Sequence, residues 1–133
     1  MLDVRPMNIF GTGVDIVETA RIASSLERHG DRFLARVFLD GERAYCGKMS
    51  SPAQCYAARF AAKEAVSKAF GTGIGASLGW LDIEVRRKAS GEPFVVLHGE
   101  GARTAVRLGI TDIRLSLSHS DHYAVAHALA LGA

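Results

Sequence analysis

Cysteine is scarce in this chain, with two among 133 residues, Cys46 and Cys55, nine positions apart. That spacing matches neither zinc-ligand pairs nor a Cys-x-x-Cys redox motif. Buried or bystander thiols are the expectation, and a reducing cytoplasm fits them. The five histidines are scattered, and none forms a zinc-type pair. No segment reaches the ~18 consecutive apolar residues that a membrane span needs. The N-terminus lacks the charged lead, apolar run and cleavage site of a secretory leader, so neither membrane insertion nor export is expected. Net charge is also small: sixteen basic residues against fourteen acidic ones leave +2. Nucleic-acid binding usually requires a basic stripe and often stacking aromatics, and neither is expected here. Repeats, low-complexity tracts and linkers are absent. One domain spanning residues 1–133 follows, and 48% hydrophobic residues suffice for a core.

What the chain does contain is a clear alternation of elements. "NIFGTGVDIV" reads as a mostly apolar strand and "ETARIASSLERHG" as a helix with Ala20, Ile22, Ala23 and Leu26 inward and Gly30 as stop. A short helix or turn fits "DRFLARVF", while residues 40–52 look loosely specified. "SPAQCYAARFAAKEAVSKAFG" is the strongest helix, with Ser51 as N-cap, Pro52 in the first turn and Gly71 at the end. "WLDIEVRRK" alternates Leu81, Ile83 and Val85 against Asp82, Glu84 and Arg86, which predicts a half-buried strand. "SGEP" then turns the chain into "PFVVLHG", giving a hairpin. "GARTAVRLG" is a short helix, and "IRLSLSHSDHYAVAHALAL" is two strands joined at "HSDH". This order predicts an α+β fold, a small antiparallel sheet packed with helices.

Three features resist a purely structural reading. Asp15 interrupts the apolar run "GVDIV", where a carboxylate must be paired, hydrogen-bonded or metal-bound unless it merely caps the next helix. On the long helix, Ala61, Ala62, Ala65, Val66, Ala69 and Phe70 fill one arc, and Lys63, Glu64, Ser67, Lys68 and Gly71 fill the opposite one. Glu64 and Lys68 could be a surface ion pair worth ~0.2–0.5 kcal/mol, or part of a site. The glycines of "GTGIG" lack the Lys-Ser/Thr of a Walker loop, and a helix C-terminus repels anions. A phosphate there needs a lysine or a divalent cation. Gly71 otherwise reads as a helix cap. His119, at a strand end, has a side chain suited to proton transfer. Arg21, Arg28, Arg32 and Arg36 form a local basic cluster that favours an acidic partner.

Together, "GTGVDIVETARI", "FAAKEAVSKAFGTGIG" and "LSLSHSDHYAVA" resemble the holo-acyl-carrier-protein synthases, the short 4'-phosphopantetheinyl transferases. Asp15 with Arg21 matches that family's Gly-x-Asp strand start and following arginine. Lys63 to Ala69 matches its Lys-Glu-Ala-x-x-Lys-Ala core, and the strand, Gly-x-Pro turn and strand recur around Pro93. The resemblance runs from about residue 8 to residue 131. Residues 1–7 look like an N-terminal extension.

The resemblance implies the family's fold and transfer of 4'-phosphopantetheine from coenzyme A to a serine of apo acyl carrier protein, in fatty acid biosynthesis. It implies Mg²⁺ on Asp15 and Glu64, with Lys68 on the phosphates. Glu64, Lys68 and His119 become the catalytic candidates, and the base is open between Glu64 and His119. Arg59, Lys63, Lys68, Gly71 and His119 become candidates for holding coenzyme A. Arg21 and Arg28, seven apart on one helical face, would dock the carrier protein. It also implies a cytoplasmic homotrimer with sites at subunit interfaces. Alternatives from other classes are a Mg²⁺-dependent nucleotide hydrolase and a non-catalytic coenzyme-binding module.

Overall fold

The computed structural model describes residues 7–132, so all of the expected N-terminal extension except Met7 lies outside the described residues. The order is β1 (Asn8–Glu18), α1 (Thr19–His29), α2 (Asp31–Val37), α3 (Asp40–Gly47), α4 (Pro52–Phe70), β2 (Ile83–Arg87), β3 (Pro93–Leu97), α5 (Gly99–Leu108), β4 (Ile110–His119) and β5 (Tyr123–Gly132). β1, β5 and β4 form an antiparallel sheet in that spatial order, and β2 pairs with β3 in a separate hairpin. The expected α+β architecture is therefore present.

α4 is the central element, and its composition explains why. It lies against β1 and β5, and alanine keeps its surface shallow. Opposite it, Ala124, Ala126, Ala128 and Ala130 of β5 are all fully buried. Because β-strand side chains alternate, Gly11, Gly13, Asp15 and Val17 of β1 share the face that meets α4. A Cβ on Gly13 would overlap the Ala65 carbonyl oxygen and lie 2.8 Å from the Ala69 nitrogen. A Cβ on Gly11 would overlap the Ala69 carbonyl oxygen. These glycines let strand and helix backbones touch. Gly71, at φ 79°, closes α4 in the left-handed conformation that favours glycine.

The opposite face of the sheet is open. Val14 and Ile16 are 57% and 63% exposed, and their register partners on β5 are His127 and Val125. Scattered exposed apolar residues are ordinary, but these are neighbours on one sheet face.

Several expectations need correcting. Residues 40–52 are not loosely specified, since they include helix α3, whose start is fixed by Glu42 Oε1 accepting a hydrogen bond from Leu39 N at 2.9 Å. Cys46 and Cys55 are not free thiols but a disulfide joining α3 to α4. A bridge closing so short a loop contributes roughly 2–3 kcal/mol on a chain-entropy account. In α1, Ile22 is buried but Ala20 and Ala23 are exposed, because the helix meets its neighbours along a narrow stripe. Leu81 is 42% exposed, since Trp80–Asp82 form a 3-10 turn and the strand alternation begins only at Ile83. Glu84, expected outward, is buried, with Arg86 and His98 hydrogen-bonded to its Oε1 at 2.9 and 2.7 Å.

The contact between Gly13 and α4 is backbone on backbone, so no side chain can move aside. Gly13→Ala should cost about 3 kcal/mol. The drop should be seen as a lower denaturant midpoint in equilibrium unfolding.

Candidate active site

Asp15 sits in the middle of β1, opposite Ala126, so it is not the cap of α1; that position is Glu18. The two-residue spacing from Gly13 decides its surroundings. Where Gly13 lets α4 approach, Asp15 meets the same helix near its C-terminal end. Lys68 Nζ lies 3.2 Å from Asp15 Oδ1 and donates to the Val14 carbonyl at 3.0 Å. Lys68 thus takes its ion pair from β1, while its own helix supplies Glu64 four residues earlier. Glu64 is half-buried. Its carboxyl is pushed above the usual range, first by burial and then by the negative charge of Asp15, with Lys68 opposing. Two carboxylates and an ammonium therefore converge on one flank of α4. Gly71, at the end of this flank, has open space around its Cα.

Lys63 does not join them. Although it lies on the predicted polar arc, it is fully buried, as is Ser67. Its Nζ donates to the Val37 carbonyl at 2.7 Å, Glu42 Oε1 at 2.7 Å and the Trp80 carbonyl at 3.0 Å. Burial pulls its ammonium below the usual lysine range, and Glu42 pulls the other way. Glu42 Oε2 also accepts from Val85 N at 2.9 Å. One buried ion pair thus ties α4 to α2, α3, the 3-10 turn and β2. With all three ammonium protons used, Lys63 has none for a phosphate, which corrects its assignment to coenzyme binding.

Arg59 is also buried, at 2% exposure, but it fronts a cleft of about 190 Å³ together with Arg87, His119, Tyr45, Ser50 and Ser51. Its Nη1 donates to Cys55 Sγ at 3.1 Å, and its Cζ lies 4.3 Å from the Tyr45 ring centre. Its Nε is buried without a hydrogen-bond partner. Burial, then the nearby charge of Arg87, lowers the Arg59 pKa from its ordinary value. Two guanidiniums facing one cleft could hold an anion there. Sequence reasoning missed Arg87; its position at the end of β2, two residues beyond a buried valine, offered only a weak signal.

The sequence-derived candidates therefore fall into two groups. Arg59 and Lys68 are nine residues apart, which places them on opposite sides of α4 at ~100° per residue. In the sheet, His119 shares a row with Ala124 and Val17, two strands from β1, or roughly 10 Å across the sheet. Asp15, Glu64 and Lys68 occupy one flank, and Arg59, Arg87 and His119 the other. Arg21 and Arg28 are exposed on α1, and beside them His29, Arg32, Phe33 and Arg36 line a shallow depression. A groove of about 550 Å³ between β3 and β4 contains none of these residues.

Comparison with known proteins identifies the family. Residues 11–128 match the family model of the 4'-phosphopantetheinyl transferase superfamily. The chain belongs to that superfamily. A holo-[acyl-carrier-protein] synthase of Koribacter versatilis is 48% identical over 121 residues, covering 91% of this chain and 97% of that one. Among solved structures, the holo-[acyl-carrier-protein] synthase of Neisseria meningitidis superposes with a TM-score of 0.87 at 31% identity, covering 92% of this chain and 98% of that one. The synthase of Helicobacter pylori, solved in complex with coenzyme A, gives 0.81 at 31% identity over 90% and 98%. The phosphopantetheinyl transferase fold expected from the sequence is thus shown, and the hydrolase and binding-module alternatives are not favoured. Among the described residues, no helix is long and apolar enough to cross a membrane.

Lys63 and Lys68, five residues apart, should separate cleanly on substitution. Lys63→Met leaves Glu42 buried and unpaired and should cost about 3–5 kcal/mol in denaturant unfolding. Lys68→Met breaks a half-exposed pair and should change stability by no more than ~1 kcal/mol.

Proposed function

We propose that this transferase moves the 4'-phosphopantetheine group of coenzyme A onto a serine hydroxyl of an apo acyl carrier protein, in fatty acid biosynthesis. The serine oxygen attacks the phosphorus bearing the pantetheine arm, the pyrophosphate bond breaks, and adenosine 3',5'-bisphosphate leaves. Family membership supports this reading. The single observation carrying it to particular residues is the convergence of Asp15, Glu64 and Lys68 on one flank of α4.

The carboxylate pair fits Mg²⁺. This cation takes oxygen ligands, commonly one or two carboxylates plus phosphate and water, and Asp15 and Glu64 are close enough for one charge to perturb the other. When bound, it would neutralise the pyrophosphate and polarise the phosphorus. Lys68 balances charge on the leaving side, and its half-exposed ammonium can exchange Asp15 for a phosphate oxygen. Gly71 leaves room for the substrate beside Lys68. Arg59 and Arg87 hold the phosphates of the adenosine end, with His119 beside them. The serine proton passes to Glu64 or to His119. Arg21 and Arg28 meet the acidic carrier protein.

The two flanks lie on opposite sides of α4, so we infer that one coenzyme A is enclosed between copies of the chain. The open sheet face, with Val14 and Ile16 uncovered, supports a homotrimer in which the carboxylate flank of one copy faces the arginine cleft of the next. A cyclic, head-to-tail interface of this kind closes on itself and repeats the site. We place the enzyme in the cytoplasm.

The direct test incubates the protein with coenzyme A, Mg²⁺ and several apo carrier proteins, then weighs the carriers by mass spectrometry. A gain of one phosphopantetheine arm, lost when a chelator replaces Mg²⁺, is expected; no gain on any carrier contradicts the reading. Lys68→Met should lower kcat by at least ~10²-fold.

Glu64→Gln should abolish transfer without lowering the stability of the metal-free protein. The sign follows from linkage. A carboxylate with a folded pKa above its unfolded one favours folding at low pH, and its contribution becomes unfavourable as pH rises through those values. At pH 7 the charge opposes folding, so thermal unfolding of Glu64→Gln should come at an equal or higher Tm.

A further inference from the structure

The disulfide borders the arginine cleft, and the proposed transfer does not use it. Cys46 is fully buried, whereas Cys55 lines the cleft and accepts the hydrogen bond from Arg59. The bridge holds the C-terminal end of α3, which supplies Tyr45 to one wall, while Met49 and Ser50 follow it directly. The other ties on α3 lie before Cys46. Glu42 bonds Lys63 and Val85 N, Arg43 pairs with Asp31 at 3.0 Å, and the Arg43 carbonyl accepts from Tyr56 Oη at 3.4 Å. Breaking the bridge would therefore remove the covalent tie on the segment after Tyr45, while Tyr45 keeps its packing on Arg59 and α3 stays anchored at its start.

We propose that Cys46–Cys55 is a thiol–disulfide exchange site that sets how tightly the Arg59 cleft holds a phosphate; this rests on the reading of that cleft as the coenzyme phosphate site. A dithiol supplies the two electrons. One of its thiolates enters from the cleft and attacks the Cys55 sulfur, forming a mixed disulfide and expelling the Cys46 thiolate, which takes up a proton. The second thiol of the reductant then displaces Cys55 and leaves as the cyclic disulfide. Bridged cysteines that occur in reducing compartments are mostly of this interconverting kind.

Both consequences of reduction weaken anion binding. In the bridged state, the sulfur facing Arg59 is neutral and the segment that follows Tyr45, with Met49 and Ser50 on the cleft, is covalently held. In the reduced state, that segment loses its covalent tie. The Cys55 sulfur can also carry a negative charge, which the adjacent guanidinium favours. A thiolate on Arg59 competes with a phosphate for the same donors.

The experiment titrates adenosine 3',5'-bisphosphate into the full chain by calorimetry, before and after treatment with dithiothreitol, with free thiols counted and folding checked by circular dichroism. Reduction should weaken binding ~3–10-fold, equivalent to a fraction of the 1.4 kcal/mol that a factor of ten represents, up to all of it. The Cys46→Ser/Cys55→Ser double variant, which lacks the bridge but carries no thiolate, should bind more weakly than the bridged protein, no more weakly than the reduced one, and ignore the reductant. Equal or tighter binding after reduction overturns the proposal while leaving the transfer reading intact. A response to dithiothreitol that persists in the double variant also overturns it. Absence of binding in both states overturns this proposal together with the assignment of the cleft. Because the reduced native chain carries the comparison, failure of the double variant to fold does not remove the test.

Discussion

The backbone contact between Gly13 and the Ala65–Ala69 turn of α4 fixes where everything else in the site can stand. It sets the depth at which the helix beds on the sheet. Asp15, two residues further along the same strand face, then meets Lys68 at 3.2 Å. A larger residue at position 13 would lift the strand from the helix and separate the two carboxylates. The Gly-x-Asp pattern is thus one device, in which glycine makes the approach and aspartate uses it.

A second constraint acts on the other side of the helix. The buried Lys63–Glu42 pair gathers α2, α3, the 3-10 turn and β2 around α4. Buried ion pairs are weak sources of net stability, but they are demanding about geometry. Here the demand holds α3 and β2 in place, the elements that bring Tyr45 and Arg87 to the arginine cleft. Adjacent residues on α4 thus differ in surroundings: Lys63 organises the scaffold, and Glu64 faces the proposed site beside Asp15 and Lys68. The open sheet face and the separation of the two flanks are what the proposed assembly of copies would account for.

Much of this was legible in the sequence. Apart from α3, and α2, where the sequence fits a helix or a turn alike, the strands and helices follow from periodicity, Gly stops and turn residues, and Asp15 stood out because a strand interior tolerates a carboxylate only with a partner. Lys63 was misassigned for a definable reason. A helical projection divides residues into two arcs, whereas α4 is enclosed on nearly all sides, so polar position did not mean exposure. The signal lay in Glu42, whose carboxylate at the start of α3 both caps that helix and receives the lysine, a pairing 21 residues away that no local pattern encodes. Arg87 and the disulfide were missed likewise, because both depend on how α3 and β2 fold over α4. The separation of the candidates onto two flanks of α4 was invisible to motif order, which does not encode where residues stand around the helix.

Subunit complementation tests this division most directly. Glu64→Gln and His119→Ala proteins, each impaired alone, are unfolded together, refolded as a mixture and assayed for transfer to the carrier. A shared site predicts recovery to roughly a quarter of native activity, since in a random cyclic mixture about one interface in four pairs an intact carboxylate flank with an intact His119. A mixture no more active than its two components would contradict a site built across copies.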